Sequence, residues 1–218
     1  MTAVPAASSD GMRRARDRFE GHIAGVGTTS GTRLVVGRWT RSPLETGPEG
    51  AFADVMVERA DGHRILLAPS EEVADYVTST YSFDEVRVEP VSAEVEDAVW
   101  RVRTPSLRLV LTVGSRLPVG WLLWLVPDRV ATSPAWSRLV APVAARLVPG
   151  VRTVGTALQG RREYYGATDL LAVTSAAGVL DGAHLGSLAP IDPPCRFGFS
   201  STPPWPSVTT VTTTVEHL

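Results

Sequence analysis

Lysine is absent from this chain of 218 residues, so arginine alone supplies its 21 cationic side chains. No amine is therefore available to form a Schiff base or to act as a nucleophile of lowered pKa. Cysteine is nearly absent too. The lone Cys195, in Pro193-Pro194-Cys195, excludes an intrachain disulfide and a cysteine metal cluster, and reads as a quiet buried thiol. The four histidines (His22, His63, His184, His217) have no paired spacing, and no His-Glu-x-x-His occurs, so no metal site and no cofactor are expected. A hydrolase triad would lack its Gly-x-Ser-x-Gly elbow. Gly25-x-Gly27-x-x-x-Gly31 has neither dinucleotide-loop spacing nor the Gly-Lys of a phosphate loop, and is read as a turn. Long apolar runs are also missing. Leu117–Val126 is about ten residues where a bilayer span needs ~20, so no stable membrane insertion is expected. Residues 1–10 are small and polar, and Arg13, Arg14, Arg16 and Arg18 follow without an apolar core. That is not a signal-peptide pattern, and it suggests a cytoplasmic protein.

What is present has the composition of an ordinary folded domain, 44% hydrophobic and 20% charged. The net charge of −2 gives no global attraction to nucleic acid. Charge is uneven along the chain. Residues 45–97 hold 14 acids against three arginines, whereas residues 98–162 hold ten arginines against Asp128 alone. Mutual neutralisation of the two parts in the fold is the plain reading.

Residues 1–12, rich in Ala, Ser and Pro, read as a disordered leader, and 13–218 as a single domain. Strands are expected over 19–27 and 32–39, joined by a turn into a hairpin, then over 50–59 and 63–68 across Asp61-Gly62. Ser70, with Glu71 and Glu72 behind it, caps a short helix reaching to about Thr80. Further strands follow at 85–91, 99–103 and 107–113. A helical insertion spans 118–149, where Trp136, Leu139, Val140, Val143 and Leu147 form a stripe interrupted by Pro142. Strands return at 151–158, 161–173 (with bends at Gly160 and Gly166), 196–200 and 207–215. Many strands, two helical stretches and no βαβ rhythm indicate an α+β fold, mainly an antiparallel β-barrel or cone.

Chemistry is sought first in Gly50–Arg59. Phe52, Asp54 and Met56 share one face of this strand, and Ala53, Val55 and Val57 the other. An acid between two apolar faces must be hydrogen-bonded, paired with arginine or protonated, which makes Asp54 the leading candidate. The second stretch is Gly160-Arg-Arg-Glu-Tyr-Tyr-Gly166. Arg161, Glu163 and Tyr165 face one way on a strand, and Arg162 and Tyr164 the other. An arginine there could pair with Asp54 or with a ligand's acid, while the plainer reading is a cross-strand ladder. Trp121, Trp124 and Trp136 are core, or a cover over a ligand cavity.

Ser42-Pro43-Leu44 followed by Gly50-Ala51-Phe52-Ala53-Asp54-Val55-Met56 resembles the acid-bearing strand of the acetoacetate decarboxylase-like superfamily, with Glu45–Glu49 as a short insertion. The order of elements is similar as well. The resemblance implies a β-barrel or cone enclosing a pocket for a small carboxylate or ketone, often in oligomers, so a homo-oligomer is a possible state. It puts Asp54 at the position of the family's active-site acid, one methylene shorter than the usual glutamate. The family's decarboxylases use a lysine imine, which this chain cannot form.

Two readings follow. In the first, the chain binds a small organic acid or apolar ligand, and any catalysis falls to Asp54, Arg162 and Glu163. Phe52, Met56, Arg161, Tyr164, Trp121 and Trp124 would line the site. In the second, the Trp- and Arg-bearing segment 116–152 serves a membrane surface or a protein partner without catalysis. A barrel with no ligand is a third possibility.

Overall fold

Turn chemistry closes the first hairpin where it is expected. In the computed structural model, which describes residues 16–147, 151–156, 161–198 and 200–217, β1 (Arg16–Thr28) and β2 (Arg33–Arg41) pair antiparallel. A 3-10 turn at Pro48–Gly50 leads into β3 (Phe52–Glu58), and β4 (Arg64–Ala68) returns beside it. Ser70 caps α1 (Glu71–Thr78): its hydroxyl accepts from the Val73 N–H at 3.3 Å. Then come β5 (Glu85–Val88), β6 (Ser92–Glu96), β7 (Val99–Arg103) and β8 (Leu107–Arg116). Three helices follow: α2 (Pro118–Trp124), α3 (Asp128–Ala131) and α4 (Pro134–Leu147). The chain ends in β9 (Val154–Thr156), the long β10 (Arg161–Leu180), β11 (Ala183–His184), β12 (Leu188–Ala189) and β13 (Ser207–His217).

The described strands form one sheet in the order β5-β4-β3-β2-β1-β13-β10-β8-β7-β6, with β9 and β11 beside β10 and β12 beside β1. It is curled into a half-barrel, and the fold class is α+β. Arg38 joins the two wings, its Nε donating to the Ala93 carbonyl at 3.1 Å. Side chains from both wings meet in one buried cluster, with Val36, Val55 and Ile65 from one side and Trp100, Leu109 and Leu111 from the other. The burial of these groups removes apolar surface from water and drives the curl.

Several local expectations change. β4 and β5 run parallel through α1, because that helix carries the chain back over the sheet before β5 begins. Serine 92 to Glu96 forms an unforeseen edge strand, mostly exposed and therefore without an alternating apolar signal. No strand forms at 196–198; this stretch is a loop packed through Phe197 against Phe83, with ring centroids 5.7 Å apart. Gly166 is not a bend but a contact point. A Cβ there would stand 2.6 Å from the Thr132 backbone, so glycine lets β10 meet the α3–α4 junction. The leader 1–12 and Gly160 lie outside the described residues.

Candidate functional site

Alternation along β3 turns Val55 and Val57 into the core cluster and Phe52, Asp54 and Met56 to the opposite face. Asp54 is 2% exposed. Its register partner on β2 is Gly37, and the missing side chain matters: a Cβ on Gly37 would stand 2.3 Å from Asp54 Oδ1 and 2.7 Å from Trp39 Nε1. Through that space Trp39 Nε1 donates to Asp54 Oδ1 at 3.0 Å. Burial pushes the Asp54 carboxyl up to about 7, while the indole hydrogen bond pulls the other way.

A second acid stands on β10. Glu163 is 3% exposed, and its Oε2 accepts from the Tyr81 hydroxyl at 3.0 Å and from the Tyr165 hydroxyl at 2.9 Å. The two phenol oxygens also lie within hydrogen-bond reach of each other, so two hydroxyl protons are shared among the three contacts. Burial, reinforced by the negative charge of Glu163, holds both phenols well above the ordinary tyrosine range, so they stay protonated and donate. Tyr81 comes from just past α1, so the cluster ties that helix to β10 across the fold.

Both acids line one cavity of about 400 Å³. Its floor is the sheet face opposite the core cluster. Ile23, Val35, Ala167 and Val211 contribute to that floor, and Val77 closes one side. Val119, Leu123, Trp136 and Val140 of α2 and α4 roof it, with Cys195 and Phe197 of the loop at 195–203. The loop is pinned by Arg196, whose backbone N–H (2.8 Å) and Nε (3.0 Å) donate to the fully buried Glu58, which also pairs with Arg33 at 3.1 Å. The surface of the wall is mostly apolar. Thr80, Thr202 and Thr213 line it too, but their hydroxyl oxygens are buried behind its surface, without hydrogen-bond partners among the described residues. Arg152 is the one cation on the lining among the described residues. The Cys195 thiol, pushed up to about 12 chiefly by burial, is a packing group rather than a nucleophile.

The cavity does not lie where a barrel interior would put it. The space between the wings is filled by the core cluster, and the opening is on the other face, beneath the helices.

Of the residues singled out from sequence, the cavity brings together Phe52, Asp54, Met56 and Glu163. Others fall elsewhere. Tyr164 is on the opposite face of β10, 1% exposed; its hydroxyl donates to Glu216 at 3.2 Å and accepts from Arg138, whose guanidinium lies 4.8 Å over the ring. Arg162 shares that face by the two-residue strand period and is not on the cavity wall. Trp121 and Trp124 face outward and are not on the cavity wall, because α2 turns Val119 and Leu123 inward instead. The Arg161 side chain lies outside the described residues. On α4, Trp136 and Val140 reach the cavity, but Leu139 of the same stripe is exposed.

Sequence reasoning missed Trp39, Tyr81 and the three threonines, and placed Tyr165 on the face of Glu163 without giving it a role. Gly37 two residues before Trp39 is a local hint, since glycine within a strand marks a close approach. Tyr81 and the threonines carry no such signal.

No family model matches the chain, and no curated protein matches it. Among solved structures, an acetoacetate decarboxylase from Legionella pneumophila subsp. pneumophila str. Philadelphia 1 is similar over 100% of this chain and 90% of its own, at 9% identity and a TM-score of 0.43. A putative AttH from Nitrosomonas europaea is similar over 98% of this chain, at 12% identity and a TM-score of 0.27; this chain spans 58% of its length. Values this low describe a remote likeness of fold and leave the activity to be argued from the site alone.

Proposed function

We propose that this chain binds a small, mainly apolar molecule carrying a hydrogen-bonding head, held between the sheet and the helices. One observation carries the reading: a largely apolar wall is interrupted by Asp54 and by Glu163 with its two phenols. An apolar cavity with a few convergent polar groups is the usual form of a small-molecule site. Two carboxylates on the wall favour a head that donates hydrogen bonds, a hydroxyl or an amine, over an organic acid.

The geometry also supports a catalytic reading. Asp54, pushed up to about 7, populates both protonation states at neutral pH, as a general acid or base requires. Its proton would be exchanged with a ligand group lying against β3, and no imine is involved.

The test is uptake of N-phenyl-1-naphthylamine, an apolar fluorophore with a single N–H donor. Saturable fluorescence enhancement, displaced by medium-chain alcohols more readily than by the matching carboxylates, is expected. Ala167→Trp, which fills the cavity from β10, should abolish uptake while circular dichroism stays unchanged. No enhancement by the parent protein, or equal uptake by a folded Ala167→Trp variant, would overturn the reading.

A further inference from the structure

α2 exposes Trp121, Leu122, Trp124 and Leu125 together, Leu125 at 70%, and Leu139 of α4 is exposed as well. Such a concentration of large apolar groups marks an interaction surface rather than ordinary exterior. The two indoles are held, not loose. Arg116 grips Asp169 through Nε at 2.7 Å and Nη2 at 2.8 Å, and its guanidinium lies 4.7 Å over Trp121 and 5.2 Å over Trp124. The rings themselves meet edge to face at 6.0 Å. An arginine that is neutralised by a carboxylate and stacked under two tryptophans presents them at a fixed height.

The charge around this surface selects its partner. Residues 116–152 contain five arginines and one acid, Asp128; Arg116 is engaged by Asp169 and Arg138 by Glu216. Arg129 is exposed and has no ion-pair partner among the described residues. Tryptophans beside an exposed, unpaired arginine suit the headgroup level of an anionic bilayer, where indoles sit at the interface and a guanidinium meets lipid phosphates. No described helix is long and apolar enough to cross a membrane, which leaves an interfacial mode for these helices. Leu122 links the surface to the cavity, since it is 59% exposed and yet on the cavity wall.

We infer that the outer face of α2–α4 docks on an anionic lipid surface and opens the cavity toward the bilayer. The ligand-exchange half of this inference rests on the apolar-ligand reading above; the docking half does not. Docking is measured by cosedimentation of the full chain with vesicles of phosphatidylcholine alone, or of phosphatidylcholine mixed with phosphatidylglycerol. Binding to the anionic vesicles is expected, weakened by salt and slight on neutral ones. Trp121→Ser with Trp124→Ser should lower the partition coefficient about tenfold or more, and Arg129→Glu severalfold. Neither change touches the cavity, so N-phenyl-1-naphthylamine uptake should persist in both. Absence of binding to anionic vesicles at low salt overturns the inference, as does binding that the double variant leaves unchanged. A dimer in analytical ultracentrifugation that the double variant abolishes, without vesicle binding, assigns the surface to a second copy and also overturns it. Vesicle binding without fluorophore uptake would remove the ligand reading while leaving the docking.

Discussion

Asp54→Asn isolates the physics of the site, because asparagine keeps the shape of the protonated acid and can still accept from Trp39 Nε1. In the folded chain the carboxyl is pushed up to about 7, against an ordinary value of 3.8. The folded state therefore holds this proton more tightly than the unfolded one. The stabilising contribution is complete below the unfolded value and is lost as pH rises through about 7. At ~1.4 kcal/mol per pH unit, the interval amounts to about 4 kcal/mol, a large share of the 5–15 kcal/mol typical of a domain. Asparagine never ionises, so the variant should match the parent near the acid end and exceed it by up to about 4 kcal/mol at about pH 8. Urea unfolding of both proteins, followed by tryptophan fluorescence at several pH values, measures the difference. Taking a difference cancels the opposite slopes of Asp84 and Asp169, which arginine hydrogen bonds hold below the usual carboxylate range. Parallel pH curves for parent and variant, or a variant less stable at about pH 8, would refute the argument that Asp54 is buried at an ionisation cost.

Three further outcomes follow from the same contacts. Gly37→Ala places a Cβ 2.3 Å from Asp54 Oδ1, and should cost about 1–3 kcal/mol in urea unfolding and weaken fluorophore uptake together; unchanged uptake would separate the Trp39–Asp54 bond from the site. Glu58→Gln leaves the buried Arg33 without its countercharge, and should cost about 3–5 kcal/mol by denaturant titration. Its effect on uptake reports whether the Arg196 anchor holds the loop at 195–203 over the cavity. Leu111→Ala, fully buried where the wings meet, should cost about 2–5 kcal/mol without altering uptake, since the core cluster and the cavity are on opposite faces of the sheet.

Part of the site was readable along the chain and part was not. Strand alternation is a local rule, so the pattern around Asp54 showed both that β3 is covered on two faces and that the acid shares a face with Phe52 and Met56. The same rule separated Glu163 from Tyr164 without saying which of them faces inward, and Tyr164 turned out to serve the Glu216 and Arg138 cluster instead. The helical stripe misled at Leu139 because α4 lies against the sheet by one side only, and Leu139 is exposed on the other. Trp121 and Trp124 misled for a related reason: their hydrophobicity suggested burial, but α2 had smaller apolar groups to turn inward.

Composition and local pattern were enough for the absence of imine chemistry, the strand-rich α+β class, the Ser70 cap and the buried acid, since each depends on residues that are neighbours in sequence. The partners of that acid, the Glu163–Tyr81–Tyr165 cluster and the position of the cavity were decided by tertiary packing. Tyr81 and Glu163 are 82 residues apart and meet only because β4, α1 and β10 converge on one side of the curled sheet. Which face of the sheet stays hollow depends on where the curl closes and where the helices lie, and side-chain order along a single strand carries no record of either.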